Sequence, residues 1–165
     1  MTNDHDRRSP ALVRSAILGF VGGLRSMMPL ALVAAHLQRH PPLEPITAGW
    51  ALDWLGSRLA VQLLGVAALG EVIADKLPVV PDRLEPVPLA GRVILGGTAC
   101  ALASQADGGS PDTAALVGAL SAIGGSLVGY SLRSWLTRVL PARAVDVALA
   151  EDILAFLLGS WALKH

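Results

Sequence analysis

Long apolar segments dominate this chain, and short polar or proline-containing connections separate them. A helix that crosses the hydrocarbon core of a bilayer needs about 20 mostly apolar residues. Five segments approach that length, at about residues 11–37, 59–78, 89–104, 113–132 and 144–163. The pattern therefore predicts an all-α bundle of about five transmembrane helices.

The composition favours a membrane protein over a soluble one. Of the 165 residues, 53% are hydrophobic and 16% are charged, whereas soluble domains carry about 25% charged residues. The length suits one domain, predicted as a short cytoplasmic tail over residues 1–10 and one transmembrane helical domain over 11–165. The formal net charge of zero does not indicate nucleic-acid binding.

Basic residues indicate an orientation for this five-helix path. Cytoplasmic connections carry an excess of Lys and Arg. With the N-terminus inside, nine basic residues lie inside and three outside, which predicts an N-in, C-out membrane protein. The nine are Arg7, Arg8, Arg14, Lys76, Arg83, Arg92, Arg133, Arg138 and Arg143, and the three are Arg39, Arg58 and Lys164. Two alternatives, a cleaved signal peptide and a soluble helical bundle, fit the composition less well.

Two glycine-containing stretches suggest an internal repeat. "GFVGGLRS" in the first segment and "GSLVGYSLRS" in the fourth each place a G-x-x-x-G pair before L-R-S. The pairs are Gly19 with Gly23 and Gly125 with Gly129, and such pairs let helices approach closely. Three segments separate the copies, so the second would enter the membrane inverted, as in many transporters. A chance match of common residues is the alternative.

The first segment also contains residues that weaken a helix. Gly22 and Gly23 are followed closely by Pro29, and both residue types disturb the helical hydrogen-bond ladder. We therefore predict a broken or re-entrant first helix. Non-helical backbone at membrane depth is tolerated where it is buried in protein or lines a cavity.

Charged residues within the apolar segments mark a candidate ion or solute site. A charge at the centre of a spanning helix costs about 2.5–3.5 kcal/mol on insertion scales, so such residues usually face the bundle interior and pair. We expect Arg25 to oppose Glu71 and one of Glu151 or Asp152. The candidates are Arg25, Ser26, Glu71, Asp75, Lys76, Arg133, Glu151 and Asp152. For Lys76, Arg92 and Arg133, the favoured alternative is that the side chains reach the headgroups.

The sequence contains no signature of an enzyme or a bound cofactor. Ser-His-Asp arrangements, phosphate-binding loops and dinucleotide fingerprints are missing. His36 and His40 lie four residues apart without a third strong ligand, so no metal site is expected. We predict no catalytic residue, cofactor or metal.

Several motifs occur in an order that resembles a known family. They are "GGLRSMMPL", "EVIADKLPVVPDR", "GRVILGGTAC", "ALVGALSAIGG" with "GYSLR", and "VALAED". The chain resembles, over about residues 15–163, the bacterial integral-membrane family catalogued as domain of unknown function 4126. The resemblance implies a small polytopic membrane protein. The positions of this chain that match the family's motif residues are Gly23, Arg25, Glu71, Asp75, Lys76, Arg133, Glu151 and Asp152. The resemblance implies no activity.

Three functions are compatible with these patterns. The first is a small transporter or channel-like protein of the bacterial cytoplasmic (inner) membrane that moves an unknown ion or solute. Its expected partners are the bilayer and further copies of itself, as in a dimer. The second is a membrane scaffold or accessory subunit whose charges only hold helices together. The third is a lipid-phosphate-handling protein that uses Arg25 and Arg133.

Overall fold

The computed structural model describes residues 4–41, 49–75, 85–139 and 144–164, and these form seven α-helices. The helices are α1 (Asp4–Leu24), α2 (Met28–Arg39), α3 (Gly49–Leu55), α4 (Arg58–Ala74), α5 (Pro86–Ala106), α6 (Pro111–Val139) and α7 (Ala144–Ala162). The described part of the chain is thus all-helical, as predicted.

Local sequence explains where several helices begin. The Ser57 hydroxyl accepts a hydrogen bond from the Ala60 N–H at 3.1 Å and caps the start of α4. Proline occupies the first turn of α2 and of α5, where its missing N–H is not needed. α6 likewise begins at Pro111.

The first predicted span folds back on itself. α1 and α2 are separated only by residues 25–27, and Pro29 of α2 packs beside Gly22 of α1. Farther from this turn, Leu18 of α1 and Leu37 of α2 are buried in one hydrophobic cluster. α1 and α2 therefore form an antiparallel hairpin, and the predicted break in the first segment is present.

Glycines place α1 in direct contact with α5 and α6. A Cβ at Gly19 would collide with the Gly118 backbone, and one at Gly23 with the backbone of α6 around Ala122. A Cβ at Gly22 would lie 3.0 Å from the Cα of Gly96 on α5. The three helices can cross this closely only because these positions carry no side chain.

The second glycine pair continues the same contact. A Cβ at Gly125 would collide with the Phe20 backbone, and Gly129 is buried one turn farther along α6. The glycines singled out in the sequence therefore lie largely in one interface, between α1 and α6. The predicted inverted repeat stays a prediction. Its two copies differ, because α1 ends before Arg25 whereas α6 continues without a break past Arg133.

The directions of the other helices can be given relative to the hairpin of α1 and α2. We call the bundle end that holds the start of α1 and the end of α2 the hairpin end, and the opposite end the far end. Arg14 forms an ion pair with Asp107, which places the end of α5 at the hairpin end. α6 runs parallel to α1, and α7 runs antiparallel to α1, since Asp152 contacts Arg25 and Gly159 lies beside Leu32.

These directions correct the predicted path. The segment over residues 11–37 does not continue as one crossing helix, and the start of α1 and the end of α7 lie at the same end of the bundle. An N-in, C-out chain needs those two ends on opposite sides. The charge count that supported this orientation assumed a crossing that the hairpin does not make.

Two of the described helices are long and apolar enough to cross a membrane, Pro86–Ala106 and Pro111–Leu136. α4 has 17 residues. α7 carries three acids, Asp146, Glu151 and Asp152. The acids of the predicted site that lie within helices, Glu71 of α4 and Glu151 and Asp152 of α7, are therefore in helices outside this pair, whereas Arg92 and Arg133 lie in the two helices of the pair.

Candidate functional site

The turn between α1 and α2, residues 25–27, is held open by a carboxylate from another helix. We call these three residues the tip. The backbone N–H and the hydroxyl of Ser26 donate to Oε1 of Glu71 at 2.8 and 2.7 Å, and the Met27 N–H donates to Oε2 at 2.9 Å. Glu71 thus takes up two backbone donors at the start of α2, where the helix dipole favours negative charge.

The carbonyl that a continuous helix would offer to Met27 belongs to Gly23, and it is used differently. Arg92 of α5 donates to this oxygen through Nη1 at 2.9 Å, and the Ser126 hydroxyl of α6 donates at 3.1 Å. Side chains from α4, α5 and α6 therefore make the hydrogen bonds to the backbone that a continuous helix would make on either side of the turn. A buried backbone group without such a partner would be costly.

Arg25 lies at the centre of the site and is completely buried. Its Nη1 is ion-paired with Asp75, and its Nε lies 2.5 Å from Oδ1 of Asp152. The contact with Asp152 is an ion pair without an aligned hydrogen bond, and Nη2 has no hydrogen-bond partner among the described residues. Arg25 thereby links the hairpin to the end of α4 and the middle of α7.

The charges around the tip form one group. Nη2 of Arg92 lies 4.0 Å from Oε1 of Glu71, so the second arginine faces the carboxylate that caps α2. Two arginines, Arg25 and Arg92, thus lie among three carboxylates, those of Glu71, Asp75 and Asp152. A buried set of this kind is stable only when its members are all paired.

A second ion pair lies between the tip and the far end of the bundle. Nη2 of Arg133 is 3.3 Å from Oε2 of Glu151, and both residues line a cavity of about 140 Å³ between α1, α6 and α7. The rest of its lining is apolar, with Phe20, Leu24 and Leu132 among its residues. This pair does not include Arg25, but Glu151 directly precedes Asp152, the partner of Arg25 on α7.

The structure brings together most of the predicted site and changes its pairing. Arg25 contacts Asp75 and Asp152, whereas Glu71, its expected partner, binds the backbone of the tip through Ser26. Of the two adjacent acids, Asp152 meets Arg25 and Glu151 meets Arg133. The predicted candidate Lys76 lies outside the described residues.

Two members of the site were missed or misread. Arg92 was expected to reach the headgroups, but it is 6% exposed and donates to the backbone of the hairpin. Ser126 was not singled out, although it is completely buried and donates to Gly23. Ser126 lies three residues before Gly129 and so shares its helix face, which was the available signal that its side chain faces α1.

The arrangement can hold or exchange charge, but it is closed. Arg25 does not line the cavity beside Arg133 and Glu151, nor the open apolar cavity on α6 around Leu127 and Trp135. No group of three His, Cys, Asp or Glu side chains suited to a metal ion occurs within the described ranges. The chemistry available at the tip is that of ion pairs, a serine hydroxyl and the N-terminus of a helix.

Comparison with known proteins identifies a family and nothing closer. The family model described as domain of unknown function (DUF4126) matches residues 12–165. No curated protein matches the chain. No solved structure matches it either.

Proposed function

The chain belongs to the DUF4126 family, and from the structure of the tip we propose that it is a small transporter or channel-like protein of the bacterial inner membrane. In this proposal several helices cross the bilayer, copies of the chain associate as homo-oligomers, and the substrate is a small ion or solute.

Exposed apolar side chains support the membrane location. Only 33% of the apolar window of Pro86–Ala106 and 28% of that of Pro111–Leu136 is buried within the chain, whereas the core helix of a soluble protein is mostly buried. Large apolar residues are also exposed along α4 and α7, among them Leu63, Val66, Ile153 and Leu157. A surface this apolar is suited to lipid.

The spacing of two tryptophans supports a position of the tip near the middle of such a membrane. Trp135 lies nine residues beyond Ser126 toward the far end, and Trp161 lies nine residues beyond Asp152 toward the hairpin end. At a rise of about 1.5 Å per residue the two tryptophans lie about 27 Å apart along the bundle, close to the hydrocarbon thickness of about 30 Å. Tryptophan is enriched at both membrane interfaces.

The observation that carries the proposal is the tip itself. A helix broken inside the bundle, with ionisable side chains from α4, α5 and α7 around the break, is the construction that transporters use for substrate and ion sites. Charges at this depth are costly and usually functional. Glu71 now occupies the helix N-terminus, so movement of α4 would expose donors to a solute.

Flux through proteoliposomes tests the proposal. We expect purified protein to move protons or a small ion, and Arg25→Lys and Asp152→Asn to lower that flux at least about tenfold, because both variants disturb the central pair. Arg58→Gln, an exposed charge on α4 away from the tip, is the matched control. Folded Arg25 and Asp152 variants with wild-type flux of every solute that the protein moves would contradict the proposal.

One observation favours a second function, a non-transporting scaffold. The side chain of Arg25 is 1% exposed and both of its acidic partners are at most 9% exposed, so the network is buried within the bundle. The triple variant Arg25→Leu, Asp75→Asn, Asp152→Asn removes the charges together. A scaffold would keep its fold and its partners in this variant, whereas a transporter would keep its fold and lose its flux.

A further inference from the structure

The bundle is packed differently on the two sides of the tip. Between the tip and the hairpin end, apolar side chains of several helices form one cluster, in which Leu18, Val33 and Cys100 are almost completely buried. Between the tip and the far end lies the cavity of about 140 Å³ that is bordered by α1, α6 and α7. The space beside the tip is thus on its far-end side.

The lining of this cavity reaches from the tip toward the far end. Leu24 lines the cavity on α1 and directly precedes Arg25. Glu151 lines it on α7 and directly precedes Asp152. Leu136, in its α6 wall, directly follows the tryptophan that we propose for the far-end membrane boundary. The cavity therefore borders both partners of the central ion pair and continues toward the boundary.

One ion pair interrupts the apolar lining of the cavity. The side chain of Glu151 is 10% exposed and that of Arg133 is 26% exposed, so the arginine is the partner nearer the surface. A long arginine side chain can carry its charge toward a membrane boundary while its aliphatic stem stays in apolar surroundings. Opening of the pair would therefore move Arg133 outward and widen the cavity.

From this arrangement we infer that a small inorganic ion reaches the tip from the far end through this cavity, and that the pair of Arg133 and Glu151 closes the way. The inference rests on the proposed function and adds to it the side of entry and the size of the solute. Cavities for drug-sized ligands measure about 300–1,000 Å³. A cavity of about 140 Å³ suits a much smaller solute.

Thiol labelling with Ag⁺ in vesicles tests this route without requiring transport. Leu24→Cys and Leu18→Cys place thiols at two buried positions of α1, the first beside the cavity and the second in the hairpin-end cluster. We expect Ag⁺ to block Leu24→Cys at least about tenfold faster, because a thiol inside a buried cluster is reached only after local opening. Cys100 of the wild-type chain, also buried in that cluster, is the blank. Equal rates, or a faster reaction of Leu18→Cys, would overturn the inference.

The same assay tests the ion pair as a gate. Glu151→Gln, added to Leu24→Cys, removes the partner of Arg133 and should speed the reaction with Ag⁺ about threefold or more, because an unpaired buried charge moves toward water. Glu85→Gln, an exposed residue before α5, is the matched control and should leave the rate unchanged. The same rate in both variants would overturn the role of the pair.

Flux measurements separate a failure of this inference from a failure of the proposed function. Ala150→Leu adds bulk to the cavity and should lower the flux at least about tenfold, whereas Ala90→Leu, on an exposed part of α5, should not. Wild-type flux in the Ala150 variant would overturn the inference and leave the proposed function in place. Fast blocking of Leu24→Cys in a protein that moves no ion would support the route and contradict the proposed function.

Discussion

The Met27 backbone N–H donates to Oε2 of Glu71 at 2.9 Å, whereas in a continuous helix it would donate to the carbonyl of Gly23. Forty-four residues separate Met27 and Glu71 in the chain. The break in the helix is thus built from a tertiary contact and not only from the glycines beside it.

Removing this carboxylate should destabilise the protein. We expect Glu71→Ala to lower the free energy of unfolding by about 3 kcal/mol, because buried donors of Ser26 and Met27 lose a charged acceptor. Glu71→Gln should cost about half as much, since one acceptor oxygen remains. Unfolding in detergent micelles measures both. The control is Glu85→Gln, an exposed residue before α5, which should change stability by less than about 0.5 kcal/mol.

Arg92 should matter for stability although it was expected to lie at the headgroups. Arg92→Leu leaves the Gly23 carbonyl with only the Ser126 hydroxyl and removes the cation facing Glu71. We expect a loss of about 2–3 kcal/mol in the same unfolding experiment. Arg138→Leu, an exposed arginine of α6, is the comparison, and equal effects of the two substitutions would show that Arg92 has no special contact.

Two adjacent glycines of α6 should respond oppositely to alanine. A Cβ at Gly125 would meet the backbone of Phe20, whereas one at Gly124 has nothing within 4 Å. Gly125→Ala should destabilise by about 1–3 kcal/mol or more through overpacking. Gly124→Ala should stabilise by up to about 1 kcal/mol, because alanine favours helix over glycine. Thermal unfolding measures the stability of both variants. An equal change in melting temperature for the two would contradict the close contact between α1 and α6.

Tryptophan depth should identify the membrane boundaries. All four tryptophans are exposed, from 48% for Trp54 and Trp161 to 83% for Trp50. In vesicles we expect fluorescence quenching to be stronger from lipids brominated near the headgroup than from lipids brominated near the chain end, because the rings lie at the interfaces. Quenching that peaks at the bilayer centre, or none at all, would contradict the proposed placement.

Helical content, the apolar segments and most charges of the site follow from the sequence alone. Arg25, Glu71, Asp75 and Asp152 were found because charges are expensive in apolar helices and are retained only with partners. The family, too, is recognisable from short motifs in order, and its model matches residues 12–165. These are local properties, each readable within one segment.

The pairing and the path of the chain were decided by tertiary structure. The sequence contains the weakened stretch at Gly22, Gly23 and Pro29, but a kinked crossing helix and a returning hairpin share that pattern. Only packing of α1 on α6 and of α2 beside α7 selects the hairpin. The hairpin gives Arg25 its partners Asp75 and Asp152, because an ion pair forms only between side chains that are neighbours in space. The direction in which the chain runs after the turn decides which side chains those are.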